Sequence, residues 1–290
     1  MPLRVALATC ADLPHLDPDE RHLAAALVDR GVVVSMPVWD GPREAFSPSS
    51  CDLVIIRNTW DYTTRLAAFL SFVDDVAAMN RVHNPPAIIR DNTNKRYLLR
   101  LATHGVATVP TAWLTPGAPV DFATLLTTLP QASAFVIKPI VGAGSRDTEK
   151  VDAADVAGAD AVLSRLLPRE GLMVQPFLPG IADGEVSLIF VDGAYSHAVI
   201  KRPRVGDFRS QPEFGSHVAA HMPSVLERRL AEDALGCLNA QGVLFARVDL
   251  VTGLSGEPVV IEVELTEPCL YLASCAEAAG RLADAIVRRA

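Results

Sequence analysis

The 290-residue sequence predicts an α/β fold: a parallel α/β unit at the amino-terminal end, and α+β with antiparallel sheet in the carboxy-terminal half. Three observations carry this. Up to about residue 88, strand-like runs of unbroken apolar character alternate with helical stretches, the pattern of a parallel sheet covered on both faces. Further on, Asp192-Gly193 sits between two strand-like runs, a two-residue hairpin signal. Half the residues are hydrophobic, 21% are charged and mean hydropathy is +0.24, which supports packed cores and excludes a disordered chain.

In order, Arg4 to Thr9 reads as a first strand. Asp17-Pro18-Asp19-Glu20 then opens a helix, with Asp17 as N-cap, Pro18 at the first helical position and Glu20 completing a capping box. That helix carries Leu23, Ala26 and Leu27 and ends near Gly31. Strands over Val32 to Val38 and Leu53 to Ile56, a helix over Leu66 to Met79 and a short strand Val82-His83-Asn84 complete a first domain of residues 1–88. Asn84-Pro85-Pro86 reads as a boundary. A helix starting at Asn92-Thr93-Asn94-Lys95 and a small β-α-β-α-β lobe fill residues 89–178, its strands at Val109 to Leu114, Phe135 to Pro139 and Leu172 to Phe177. Residues 179–290 hold two hairpins, a helix near Ser224 to Asn239 and a last helix of about Cys275 to Arg289.

With 26 basic and 34 acidic residues the formal charge is −8, which does not attract nucleic acid or an anionic membrane. The five cysteines are scattered without a C-x-x-C pair, which argues against a disulfide scaffold or structural zinc and for a reducing, cytoplasmic setting. No run of 18 apolar residues exists, and the apolar stretch after Met1 is too short for a signal peptide and is followed at once by acidic residues.

The second hairpin, Leu244 to Val251 with Pro258 to Thr266, carries the most chemistry. Pairing symmetric about Ser255-Gly256 sets Asp249 against Glu262 and Arg247 against Glu264, with Ala246, Val248 and Leu250 against Leu265, Val263 and Ile261. One face is then apolar and the other gathers one arginine and three carboxylates. Two readings fit that face: a site for a hard divalent cation such as Mg²⁺, or a solvated polar face. Lys138, in the apolar strand Phe135 to Pro139, either meets an anion or reaches water, and the loop Gly142-Ala143-Gly144-Ser145 after it can present backbone N–H groups to a phosphate. The loop is neither a Walker loop nor a G-x-G-x-x-G fingerprint. Lys95 and the run Lys201, Arg202, Arg204 and Arg209 are further cations in an acidic chain, readable as ligand groups or as solvated surface. Arg204 to Ser216, with Gly206, Pro212 and Gly215, is expected to be a mobile lid. Arg57-Asn58-Thr59-Trp60-Asp61-Tyr62 follows a strand end, where parallel sheets hold ligands or where aromatics pack against a neighbouring lobe. No G-x-S-x-G elbow is present, and His217 and His221 lack the glutamate of H-E-x-x-H.

Together these segments resemble the ATP-grasp superfamily, in particular its glutathione synthetase-like and D-alanine–D-alanine ligase-like branches, most clearly over Asn92 to Leu270. The resemblance implies an ATP-grasp fold. It implies that Lys95 and Lys138 grip ATP phosphates beside Gly142, Gly144 and Ser145, that Gln175, Pro176, Phe177 and Leu178 line the adenine, and that Glu185 accepts from the ribose. It implies Mg²⁺, two ions in this reading, on Asp249, Glu262 and Glu264, and assigns catalysis to Arg247 with Lys201 and Arg209. Two departures stand out: Glu264 replaces the asparagine of many relatives, and the glycine loop is short. The stretches Arg57 to Tyr62, Ser196 to Lys201 and Glu262 to Tyr271 are similar to the D-cycloserine synthetase family of cyclo-ligases. That implies activation of the carboxylate of O-ureido-D-serine and ring closure, with Thr9, Arg57, Asn58, Thr59 and Glu267 around the substrate. The alternatives are an intermolecular amide ligase and a small-molecule kinase on the same fold. The expected partner is a small amino acid, with no nucleic acid and no membrane; a homo-oligomer is compatible with this reading.

Overall fold

The computed structural model describes residues 1–42, 50–79 and 81–290. Its first sheet comprises β1 (Arg4–Thr9), β2 (Val33–Ser35), β3 (Leu53–Asn58) and β4 (Arg81–His83). All are parallel, in the order β2-β1-β3-β4, as continuous apolar strands require. α1 (Arg21–Val28) covers one face and α2 (Leu66–Ala77) with α3 (Pro86–Asn92) the other, packing Leu23 and Leu27 on the first side and Phe69, Val73 and Ile89 on the second.

The capping box expected at the start of α1 does not form. Glu20 occupies the N-cap position without a side-chain cap, and its carboxylate is buried against Arg57 instead. α3 was not foreseen: Pro86, read as a boundary, is the first residue of this helix, where its missing N–H costs nothing. α4 (Tyr97–Thr103) follows.

The small lobe is antiparallel rather than a β-α-β-α-β unit. It contains β5 (Ala112–Leu114), α5 (Phe122–Leu126), β6 (Ala134–Pro139), the unforeseen strand β7 (Glu149–Asp152), α6 (Val156–Leu166) and β8 (Leu172–Pro176). The order is β5-β8-β6-β7, every neighbouring pair antiparallel. Buried strands of this kind read the same from sequence in either direction, so the helices between them did not specify it.

A five-stranded antiparallel sheet follows, ordered β11-β10-β9-β12-β13. Its strands are β9 (Glu185–Val191), β10 (Ala194–Arg202), β11 (His217–Ala220), β12 (Phe245–Thr252) and β13 (Pro258–Glu264). Asp192 (φ 54°) and Gly193 (φ 76°) make the β9–β10 turn left-handed at both positions, the geometry that suits the strand twist. A Cβ at Gly193 would lie 2.1 Å from the Gln241 carbonyl, so glycine is required there. α7 (Val225–Cys237), opened by a Ser224/Glu227 capping box, packs behind this sheet with α4. α8 (Ala278–Arg289) returns to the amino-terminal sheet: Leu282 and Ile286 share one core with Leu23, Leu27, Ile189 and Val199. No helix among the described residues is long and apolar enough to cross a membrane.

Candidate active site

Where the two antiparallel sheets meet the amino-terminal loops they enclose a cleft of about 750 Å³. Its floor is the polar face of β12 and β13. Arg247 pairs with Glu264, Val248 with Val263 and Asp249 with Glu262, the register expected from alternation. Nearer the turn the register slips, so that Leu250 faces Val260 rather than Ile261. Ile261 is the extra residue of this bulge and lines the cleft beside Leu178 and Val251.

One oxygen each of Asp249, Glu262 and Glu264 lies within 4.8 Å of the others. Arg247 Nη2 donates to Asp249 Oδ2 at 3.0 Å and also to Glu264. Ser187 donates to Asp249 Oδ1 at 2.5 Å, and Lys95 Nζ to Glu262 Oε1 at 2.5 Å. Burial opposes all three carboxylates. Arg247 and Lys201 overcome it at Asp249, and Lys95 and Lys138 at Glu262, so both stay below the usual carboxylate range. At Glu264 burial wins, reinforced by Glu262 and Asp249, and its carboxyl is pushed up to about 7. A hard dication fits such a set: oxygen ligands, crowded negative charge, and one carboxyl that cannot easily ionise without it.

The cations differ in engagement. Lys95 holds the loop as well as Glu262, donating to the Gly142 carbonyl at 2.8 Å. Lys201 is buried between Glu185 and Asp249, its Nζ 3.8 Å from Asp249 Oδ1. Arg209 pairs with Asp207 and lies over the Phe214 ring at 3.7 Å. Lys138 lines the cleft without a hydrogen bond or ion pair among the described residues, and burial lowers its pKa. An ammonium left so is an anion site in waiting.

Gly142, Gly144 and Ser145 line the cleft above Lys138, as do Gln175, Pro176, Phe177 and Leu178 at its apolar end with Val109, Val251 and Ile261. Gln175 Nε2 donates to Thr111 Oγ1 at 2.8 Å. Glu185 lines the cleft as well, but it does not offer a free carboxylate for a sugar: one oxygen takes Lys201 and the other Ser210. The segment Arg204 to Ser216, for which a lid is expected, contributes Phe208, Arg209, Ser210, Gln211, Pro212 and Glu213 to the wall.

The amino-terminal wall corrects the expectation for Thr9, Arg57, Asn58 and Thr59. All four are fully buried, and none lines the cleft. Thr9 Oγ1 donates to the Leu13 carbonyl, Asn58 Oδ1 accepts from Asp17 N, and Arg57 is spent on Glu20, the Pro268 carbonyl and the Phe245 ring. The last residues of a central parallel strand are covered by the loops that follow it, so the loop residues Asp17, Asp19, Trp60 and Tyr62 face the cleft in their place. Sequence reasoning also missed two asparagines. Asn92 accepts from Leu265 N at 2.6 Å and donates to the Val263 carbonyl at 2.8 Å. Asn84 donates to the Phe245 and Leu265 carbonyls, each at 2.8 Å. Asn84, before α3, and Asn92, its last residue, fasten the hairpin to that end of the amino-terminal sheet, and their only signal was a polar residue at a helix end.

Glu267 reaches the cleft as expected. It is buried, its Oε2 has no hydrogen-bond partner, and burial together with Glu264 pushes its carboxyl up to about 8.

Residues 119–273 match the ATP-grasp domain of prokaryotic glutathione synthetase, and residues 5–84 match the N-terminal domain of D-cycloserine synthetase DcsG. The cycloserine biosynthesis protein DcsG of Streptomyces lavendulae is 31% identical, the match covering 98% of each chain. A glutathione synthetase of Parasynechococcus marenigrum (strain WH8102) is 28% identical over 79% of this chain and 75% of its own. The crystal structure of D-cycloserine synthetase DcsG superposes with a TM-score of 0.88 at 30% identity, covering 99% of both chains. D-alanine–D-alanine ligase from Bacillus anthracis, complexed with ATP, shares the fold, with a TM-score of 0.71 at 16% identity over 99% of this chain and 96% of that one. With that fold, and with cations and crowded carboxylates facing one cleft, the chain belongs to the ATP-grasp family and is an ATP-dependent ligase.

Proposed function

We propose that this ligase activates the carboxylate of a small amino acid as an acyl phosphate and closes it into a ring through a nitrogen of the same molecule, with O-ureido-D-serine as substrate and D-cycloserine as product. The observation that carries the reading is the floor of the cleft, where Arg247, Asp249, Glu262 and Glu264 stand as cross-strand partners below an unpaired Lys138. The full-length likeness to a cycloserine biosynthesis protein supports the choice of substrate.

In this reading Lys138 and Lys95 hold the ATP phosphates, and the apolar end of the cleft, from Gln175 to Leu178, takes the base. Asp249, Glu262 and Glu264 would hold Mg²⁺, which when bound neutralises phosphate charge. The γ-phosphoryl passes in line to the substrate carboxylate, and ADP leaves. The ureido nitrogen attacks the acyl carbon, and Arg247 stabilises the oxyanion of the tetrahedral intermediate until phosphate departs. Both reacting groups belong to one molecule, so no second substrate has to be brought in. Hydrolysis of the carbamoyl group then yields carbon dioxide and ammonia.

The test is O-ureido-D-serine with ATP and Mg²⁺. ADP, phosphate and a five-membered cyclic product by mass spectrometry are expected, with a hydroxamate when hydroxylamine is added. A dipeptide from an ordinary amino-acid pair, with O-ureido-D-serine inert, would replace ring closure by intermolecular ligation. A phosphorylated alcohol alone would replace the ligase reading.

A further inference from the structure

Among the described residues, two charged side chains of opposite sign that are buried or half-buried face the cleft without partners. One is Lys138; the other is Glu267. The other buried carboxylates that line the cleft are engaged: Glu185 by Lys201 and Ser210, and Asp249 by Arg247, Lys201 and Ser187. Glu267 makes no side-chain hydrogen bond or ion pair among the described residues, and its Oε2 is sealed from solvent. Its backbone has little freedom to search for a partner. Trp60 Nε1 donates to the Glu267 carbonyl at 2.9 Å, Arg57 to the next carbonyl at Pro268, and Arg247 Nη1 to that of Cys269 at 3.0 Å. A buried carboxyl held this firmly and left unpaired costs stability unless a ligand supplies the missing charge.

The neighbours say which charge. Trp60 and Tyr62 line the same cleft, and Trp60 is bonded to the Glu267 main chain. A wall of aromatic side chains around one carboxyl suits an ammonium: the apolar surroundings strengthen the charge contact, and the carboxylate accepts the ammonium hydrogens.

We propose that Glu267, walled by Trp60 and Tyr62, is the subsite for the free α-ammonium of the amino-acid substrate. The inference rests on the ligase reading above and narrows its acceptor to carboxylic acids that carry an unblocked amine. It assigns opposite ends of the substrate complex to the two unpartnered groups, Lys138 to the phosphates and Glu267 to the amine. An ammonium beside Glu267 also restores its ionised form, which burial and Glu264 disfavour in the free protein.

The experiment compares ADP release for amino acids, each beside its 2-hydroxy-acid counterpart, beginning with O-ureido-D-serine. The wild type should favour the amine of each pair by about 100-fold or more in kcat/KM, as a site built for a polar group rejects the analogue without it. Glu267→Gln should raise KM for the amine by roughly 10–100-fold, the cost of a charge-assisted contact, leaving KM for ATP unchanged. Glu267→Asp should recover part of the loss. Equal kcat/KM for both members of a pair overturns the subsite and leaves the ligase reading standing, as does a loss in kcat with KM unchanged. If no carboxylic acid yields ADP and a hydroxamate, the ligase reading falls and the subsite with it. Should Glu267→Gln fail to fold, calorimetry of the wild type with Mg²⁺ and a non-hydrolysable ATP analogue decides. Tighter binding of the amine supports the subsite, and equal affinity overturns it.

Discussion

Arg57 and Arg247 are both buried arginines at strand positions, and they do opposite work. Arg57, next to last in β3, has no exposed surface, and its charge is consumed by Glu20, the Pro268 carbonyl and the ring of Phe245. Arg247, in mid-strand on β12, bridges Asp249 and Glu264 on a face that opens into the cleft. Both looked like functional cations in the sequence. The difference is where the counter-charge comes from. Arg247 finds Asp249 two residues away and Glu264 across the hairpin, on a face set by strand alternation. Arg57 finds its partner on a different element, and its site is a joint between the amino-terminal sheet and the Thr266–Pro268 segment. A buried arginine therefore marks a reaction centre only when its surplus coordination faces a cavity.

If this contrast holds, Arg57→Ala should be a stability variant. Leaving Glu20 buried without a cation should cost about 3–5 kcal/mol in denaturant unfolding. Adding Glu20→Ala should return part of that, because the two losses share one contact. A variant as stable as wild type would break the comparison. Arg247→Lys should be the reverse, a catalytic variant. It keeps the charge but loses the fork that spans Asp249 and Glu264, so kcat should fall by about 10²–10³ with the melting temperature nearly unchanged. A large loss of stability without a kinetic effect would make Arg247 a second Arg57.

Lys138 sharpens the contrast, since it has no partner to lose among the described residues. Lys138→Ala should weaken ATP binding by about 1–3 kcal/mol in calorimetry, with no penalty in folding. Unchanged affinity would remove it from the site. Glu267 gives the effect whose sign is clearest. Its carboxyl rises from the usual 4.5 to about 8 on folding. The folded state then binds the proton more tightly, and the stability this confers is lost as pH rises between those values. Without ligand, Glu267→Gln should gain on wild type in melting temperature progressively between about pH 5 and pH 8, then level off. A constant difference across that range would mean that Glu267 ionises normally.

What could be read along the chain was whatever repeats within one element. Unbroken apolar runs announced the parallel sheet, Asp192-Gly193 announced its hairpin, and the period of two placed Arg247, Asp249, Glu262 and Glu264 on one face before any fold was known. The bulge at Ile261, the antiparallel small lobe and the return of α8 to the first sheet were not legible, because strand direction and packing partner leave no local period. Nor were the fates of the charged residues. Whether Arg57 meets Glu20, whether Glu185 is taken by Lys201, and whether Glu267 meets no one depends on which distant elements touch. Alternation fixes the side of a strand on which a charge stands; only the packing of separate elements decides whether another charge is waiting there, because that pairing is made through space and not along the chain.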